Sequence, residues 1–109
     1  MKVLIVDDEV SICQLLGEFL RRSGYEVAIA HTGAEAALLG SVFDAAVIDL
    51  DLPDISGEDI ARRMARENPK ARLLISTGHE YTPPRGLNVM VLKKPYLPRE
   101  LLNVLAQAD

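Results

Sequence analysis

Apolar positions along this chain follow two alternating patterns. Val3-Leu4-Ile5-Val6, Ala45-Ala46-Val47-Ile48, Leu73-Leu74-Ile75 and Val89-Met90-Val91-Leu92 are short runs with no polar interruption, as expected of strands buried on both faces of a sheet. Val27-Ala28-Ile29-Ala30 is a further short strand. Between them the spacing becomes helical. Ile12, Leu15, Leu16, Phe19 and Leu20 recur at helical intervals, and Gly24 stops that helix. Thr32 caps a second helix running through about Gly40, with Glu35 completing a capping box. A third, from Glu58 to Glu67, carries Ile60 and Met64 on one face and is closed by Asn68-Pro69. A last helix runs from about Pro98 to Gln107, with Pro98 in its first turn. Regular alternation of strand and helix predicts an α/β fold, a doubly wound five-stranded parallel sheet forming one domain over residues 1–109.

The rhythm fails once. Residues 78–88 should hold the helix between the last two strands, but they contain two adjacent prolines and two glycines. That composition predicts a loop with the helix absent or irregular.

Four of the apolar runs end in polar side chains suited to phosphate chemistry: Asp7-Asp8, Asp49, Ser76-Thr77 and Lys93-Lys94-Pro95. In a parallel sheet these ends share the carboxyl edge, where open α/β sheets bind ligands. Three carboxylates about 4 Å apart, at an effective dielectric of about 20, repel by roughly 4 kcal/mol per pair. Such a cluster protonates or recruits a cation. An all-oxygen donor set favours a hard ion, Mg2+ or Mn2+, over zinc. A divalent ion and Lys94 together balance the three charges, and a carboxylate can itself attack phosphorus. Each piece also has a plainer reading: Asp-Asp as a helix cap, Lys-Pro as a turn. Their joint placement at corresponding strand ends is what carries weight.

Composition narrows the field. The net charge of −4, with no basic stripe, argues against nucleic acid as a direct partner. Arg62, Arg63 and Arg66 are interleaved with Glu58, Asp59 and Glu67 and read as a solvated helix face. Cys13 is the single cysteine, so neither an intrachain disulfide nor a cysteine metal site forms, and it reads as a small buried hydrophobe. No apolar run approaches the ~18 residues of a membrane span, and the chain opens directly into a strand without a signal-peptide pattern. The expected location is the cytoplasm.

Taken together, Val3 to Glu9, Asp49-Leu50-Asp51-Leu52-Pro53 with Gly57, Thr77-Gly78 and Lys93-Lys94-Pro95-Tyr96 resemble the receiver domain of two-component response regulators over essentially the whole length. The resemblance implies strand order 2-1-3-4-5 and a phosphoryl group passing to Asp49 from a histidine kinase or histidine phosphotransfer protein. It implies Asp8 and Asp49 as direct Mg2+ ligands, Asp7 acting largely through water, and the backbone carbonyl of Asp51 as a further ligand. Thr77 would be the switch hydroxyl and Lys94 the phosphate-binding lysine, with Lys94-Pro95 commonly cis. Ser76 is the competing hydroxyl; strand alternation and the following Gly78 favour Thr77. Lys93 reads as a surface lysine, and His31 as a surface residue near a helix start.

Two features depart from the family. Val91 stands where most receivers carry an aromatic residue coupled to the switch threonine, and the fourth helix is missing. Both are similar to a subgroup of mostly single-domain receivers with Thr-Gly after strand four. The 78–88 loop is expected to change order on phosphorylation, and His79 and Asp51 border the site where they would influence phosphoryl lifetime. His79 reads equally as a solvated loop residue. Output would pass through protein contacts to an unknown target. Two other readings are a docking module independent of phosphorylation and, from Asp49-Leu50-Asp51, a haloacid dehalogenase-like phosphatase. The latter family usually places that motif on its first strand and needs a later acidic pair.

Overall fold

The computed structural model describes residues 1–107; residues 108 and 109 of the expected domain lie outside the described part. The elements run β1 (Lys2–Val6), α1 (Val10–Arg22), β2 (Glu26–Ala30), α2 (Gly33–Leu39), β3 (Ala45–Asp49), α3 (Gly57–Glu67), β4 (Arg72–Thr77), β5 (Met90–Lys93) and α4 (Pro98–Ala106). All pairings in the five-stranded sheet are parallel, in the order β2-β1-β3-β4-β5. The doubly wound reading is therefore correct, including the missing helix between β4 and β5.

Alternation divides the buried residues between the two faces of the sheet. Leu4, Val6, Ala46, Ile48, Leu73 and Ile75 pack beneath α2 and α3 with Ile60 and Met64. Val3, Ile5, Ala45, Val47, Leu74 and Leu92 pack beneath α1 and α4 with Leu16, Leu20, Leu101 and Leu105. β1 and β3 lie inside the sheet and are covered on both sides, which is why their sequences show no polar interruption.

Helix ends follow local chemistry. Gly24, at φ +97°, closes α1 in a Schellman arrangement: Tyr25 N donates to Leu20 O at 3.0 Å and Gly24 N to Arg21 O at 3.1 Å. At the other end the N-cap is Glu9, with no side-chain cap bond of its own; Asp7 Oδ1 accepts from Glu9 N at 2.9 Å, which leaves Asp7 Oδ2 for Lys94. The buried stripe of α1 is Cys13, Leu16, Gly17 and Leu20, and Leu15 is 59% exposed, against expectation. Helical spacing defines a broad apolar face; the sheet covers only the flank containing Cys13.

The capping box at α2 is half formed. Thr32 Oγ1 accepts from Glu35 N at 3.1 Å, but Glu35 Oε1 accepts from His31 N at 3.0 Å rather than from Thr32 N. The first turn is completed from the β3–α3 loop, where Asp54 accepts from Gly33 N at 2.8 Å and Ala34 N at 2.9 Å. Those two donated bonds hold the Asp54 carboxyl below the usual carboxylate range.

The 78–88 segment holds no helix, but it is docked at several points. Leu87 is buried in the α2/α3-side core, with Tyr81 and Val89 packed against it. Tyr81 Oη donates to Glu58 Oε1 at 2.7 Å, and Lys93 Nζ donates to Glu80 Oε1 at 2.9 Å. Lys93 thus faces outward, as expected.

Cys13 is fully buried, and its Sγ contacts Asp7 O at 3.2 Å. Burial, then the Asp7 charge, pushes its thiol up to about 11. At pH 8 the thiolate fraction is on the order of one in a thousand. The folded protein is expected to resist iodoacetamide for hours at that pH and to take up one equivalent once unfolded in urea; mass spectrometry of both samples checks this.

Candidate functional site

β1, β3 and β5 deliver their terminal polar residues to one point because a parallel sheet ends all its strands on one edge. Carboxylate oxygens of Asp7, Asp8 and Asp49 lie within 4.8 Å of one another, the one such acidic group among the described residues. Asp7 and Asp49 are 3% and 5% exposed, whereas Asp8 faces solvent. The cluster is therefore a buried floor with one open side. Lys94 Nζ reaches Asp7 Oδ2 at 3.1 Å and Asp49 Oδ2 at 3.3 Å, with Glu9 Oε1 farther off at 3.9 Å. The Lys94-Pro95 peptide bond is cis.

Burial raises the Asp49 carboxyl above its ordinary value, opposed by the Asp51 backbone hydrogen bond and by Lys94. Burial alone would lower Lys94, but its hydrogen bond to Asp7 and the two carboxylate charges outweigh that and raise it. Lys94 therefore stays a cation where a neutral amine would leave two buried anions facing each other. Mg2+ ligands lie about 2.0–2.1 Å from the ion, so two of them are at most about 4.2 Å apart. A spread of up to 4.8 Å accommodates such an ion after a shift of a few tenths of an ångström, or with one carboxylate acting through water. The donor set fits a hard divalent cation.

The sheet register corrects one argument. Asp49 pairs with Ser76 and Thr77 with Lys93, so alternation puts Ser76, not Thr77, on the Asp49 face. Both hydroxyl residues are buried. The case for Thr77 rests on its family match and on its place at the sheet edge, where its Oγ1 accepts from His79 N at 3.2 Å. Val91 pairs with Ile75 and is 40% exposed.

Asp51 and His79, which the sequence places only at the border of the site, meet each other. His79 Nε2 lies 2.6 Å from Asp51 Oδ2, and Asp51 N donates to Asp49 Oδ1 at 3.2 Å. The Asp51 side chain is thus committed to His79 and stands outside the acidic cluster. No acidic residue from a later strand joins that cluster among the described residues, and Asp49 ends the central strand rather than the first. Neither feature matches the phosphatase motif.

Sequence reading also missed His31. Its Nδ1 lies 3.0 Å from Asp7 O, the carbonyl that Cys13 Sγ also contacts, so it helps fix the Asp7-Asp8 peptide. The signal was available, since β2 also ends in a polar residue at the same edge. Tyr96 has no role in the sequence reading beyond closing the Lys93-Lys94-Pro95-Tyr96 motif. It packs against the α1/α4-side core, and burial, then the charges of Asp7 and Asp49, pushes its phenol up.

A family profile described as response regulator receiver domain matches residues 3–106. Response regulator SaeR of Staphylococcus aureus is 34% identical over 107 residues, covering 92% of this chain and 46% of SaeR. The chain spans less than half the length of the curated relatives reported first. Among solved structures, the non-phosphorylated HemR receiver domain of Leptospira biflexa superposes with a TM-score of 0.86 at 28% identity, covering 99% of this chain and 96% of that one. A response regulator from Burkholderia pseudomallei with a phosphorylated aspartic acid and a calcium ion gives 0.83 at 27% identity, over 97% of this chain and 66% of that one.

Proposed function

Since the chain belongs to the response regulator receiver domain family, we propose that Asp49 is its phosphoacceptor, taking a phosphoryl group from a histidine kinase or a histidine phosphotransfer protein. The observation that carries this reading is the buried Asp7–Lys94–Asp49 arrangement, in which one ammonium holds two carboxylates at 3.1 and 3.3 Å.

A carboxylate oxygen of Asp49 attacks phosphorus, the new O–P bond forms as the donor's P–N bond breaks, and the electron pair stays on the donor imidazole. Burial strips water from Asp49, while Lys94 keeps it ionised and shares its positive charge with the arriving oxygens. Thr77 is the hydroxyl that turns toward the phosphoryl group. Asp8 and Asp49 would hold Mg2+ (or Mn2+) directly, Asp7 through water, with the Asp51 carbonyl completing the protein ligands. When bound, the ion supplies charge neutralisation at the phosphoryl oxygens. Asp51 and His79 border the acceptor and influence how long the phosphoryl group survives, and Val91 removes the aromatic form of switching. The domain turns over no separate substrate; its chemistry is confined to its own phosphorylation and dephosphorylation. It works in the cytoplasm through protein contacts, with no direct nucleic-acid or membrane partner.

Incubation with acetyl phosphate followed by intact-mass measurement tests this. One phosphoryl increment is expected with magnesium and little or none after EDTA. An unchanged mass in both samples would overturn the proposal.

A further inference from the structure

A closed circuit of hydrogen bonds and one ion pair runs around the acceptor. Asp49 Oδ1 accepts from Asp51 N at 3.2 Å, Asp51 Oδ2 meets His79 Nε2 at 2.6 Å, and His79 N donates to Thr77 Oγ1 at 3.2 Å. Thr77 O accepts from Lys94 N at 2.8 Å, and Lys94 Nζ returns to Asp49 Oδ2 at 3.3 Å. His79 holds two links of this circuit at once, its ring on one loop and its backbone on the residue that ends β4.

We propose that His79 is a positioning residue that carries the state of Asp49 to the 78–88 segment, exchanging its bond to Asp51 when the acceptor is occupied. This rests on the reading of Asp49 as phosphoacceptor and Thr77 as switch hydroxyl. Occupation of Asp49 changes the acceptor of Asp51 N. Movement of Thr77 Oγ1 toward the new oxygens either drags His79 N or breaks its bond. A drag on His79 N moves the imidazole relative to Asp51, and the changed acceptor of Asp51 N moves Asp51 relative to the imidazole. Its present bond yields easily, because the two side chains are 64% and 61% exposed and an exposed pair contributes little to stability.

The displacement has a short path outward. Glu80 is tied to Lys93 and Tyr81 to Glu58 at the start of α3, so a shift at position 79 loads the Tyr81–Glu58 bond two residues away. Val91 offers no ring to do this work, and His79 supplies a route that does not need one.

The test is amide NMR of the whole chain at saturating beryllofluoride and Mg2+. Asp49 and Leu50 report occupancy; Tyr81 and Leu87 report transmission. In the wild type both pairs are expected to shift. In His79→Ala the Asp49 and Leu50 shifts persist, while those of Tyr81 and Leu87 fall to under a third. His79→Gln, which keeps a donor of similar reach, is expected to restore at least half. Full Tyr81 and Leu87 shifts in both variants would overturn the relay, as would wild-type protein in which only Asp49 and Leu50 move. Loss of the Asp49 and Leu50 shifts in His79→Ala would make His79 part of acceptor binding and also overturn it. Their absence from the wild type would overturn the phosphoacceptor reading itself, and the relay with it.

Discussion

Asp49→Asn is expected to abolish phosphoryl uptake from acetyl phosphate while leaving the fold intact. Asparagine has the same shape, and its amide oxygen can still accept from Asp51 N. It lacks the anionic oxygen that attacks phosphorus, so the loss is of chemistry rather than of architecture. The same variant should be more stable than the wild type in EDTA at neutral pH. Asp49 is 5% exposed and its carboxyl is raised by burial, so the ionised form is less favourable folded than unfolded. A carboxyl raised in the folded state contributes stability below its unfolded pKa and loses it as pH rises through the folded value. Removing the charge at pH 7 should therefore raise the melting temperature by a few degrees, about what 1 kcal/mol gives a domain of this size. The gain should shrink as pH falls into the carboxyl range. Thermal denaturation at several pH values checks the sign; a lower melting temperature at pH 7 would show that the contact with Lys94 outweighs the cost of burial.

Gly57→Ala is expected to be the most damaging small substitution near the site. A Cβ at Gly57 would sit 2.2 Å from Asp49 O and 2.9 Å from Asp49 C. Backbone atoms of a central strand cannot rotate aside, so α3 must move away from β3 and stretch the Gly57 N to Leu50 O bond, now 2.9 Å. Overpacking typically costs about 1–3 kcal/mol, and a clash with fixed backbone belongs at or above the upper end. A fall in melting temperature on the order of 15 °C follows for a domain of this size, together with slower phosphoryl uptake. Gly33→Ala is the control. Its contacts are side chains rather than backbone, Ile55 Cγ1 at 2.5 Å and Asp54 Oδ1 at 3.1 Å, and Ile55 is half-exposed. A loss below about 1.5 kcal/mol is expected there.

The parts of this site legible in the sequence are those fixed by strand chemistry. A strand buried on both faces must stop being apolar where it leaves the sheet, and Asp7 and Asp49 mark those places; the run before Lys94 reads the same way, but β5 is the edge strand and leaves Met90 and Val91 exposed. The Pro83-Pro84 pair likewise announced the missing helix, because proline lacks the donor a helix needs. What stayed hidden depends on register and on contacts between distant segments. The hydroxyl facing Asp49 is decided by how β4 aligns with β3, which no local pattern records. Asp51 and His79 are separated by 28 positions and meet only because two loops leave adjacent strands. The same holds for Asp54 completing the α2 N-terminus. Leu15 was misplaced because a 3.6-residue period defines an apolar face but not which flank the sheet covers.

The central claim is that the group accepting phosphate is the carboxylate of Asp49. Protein treated with acetyl phosphate and Mg2+, reduced with borohydride to convert an acyl phosphate to its stable alcohol, and then digested should carry the mass change of that conversion on the peptide containing Asp49, at that residue alone. Conversion at Asp7, at Asp8 or at no residue, with the protein folded and magnesium present, would contradict the claim.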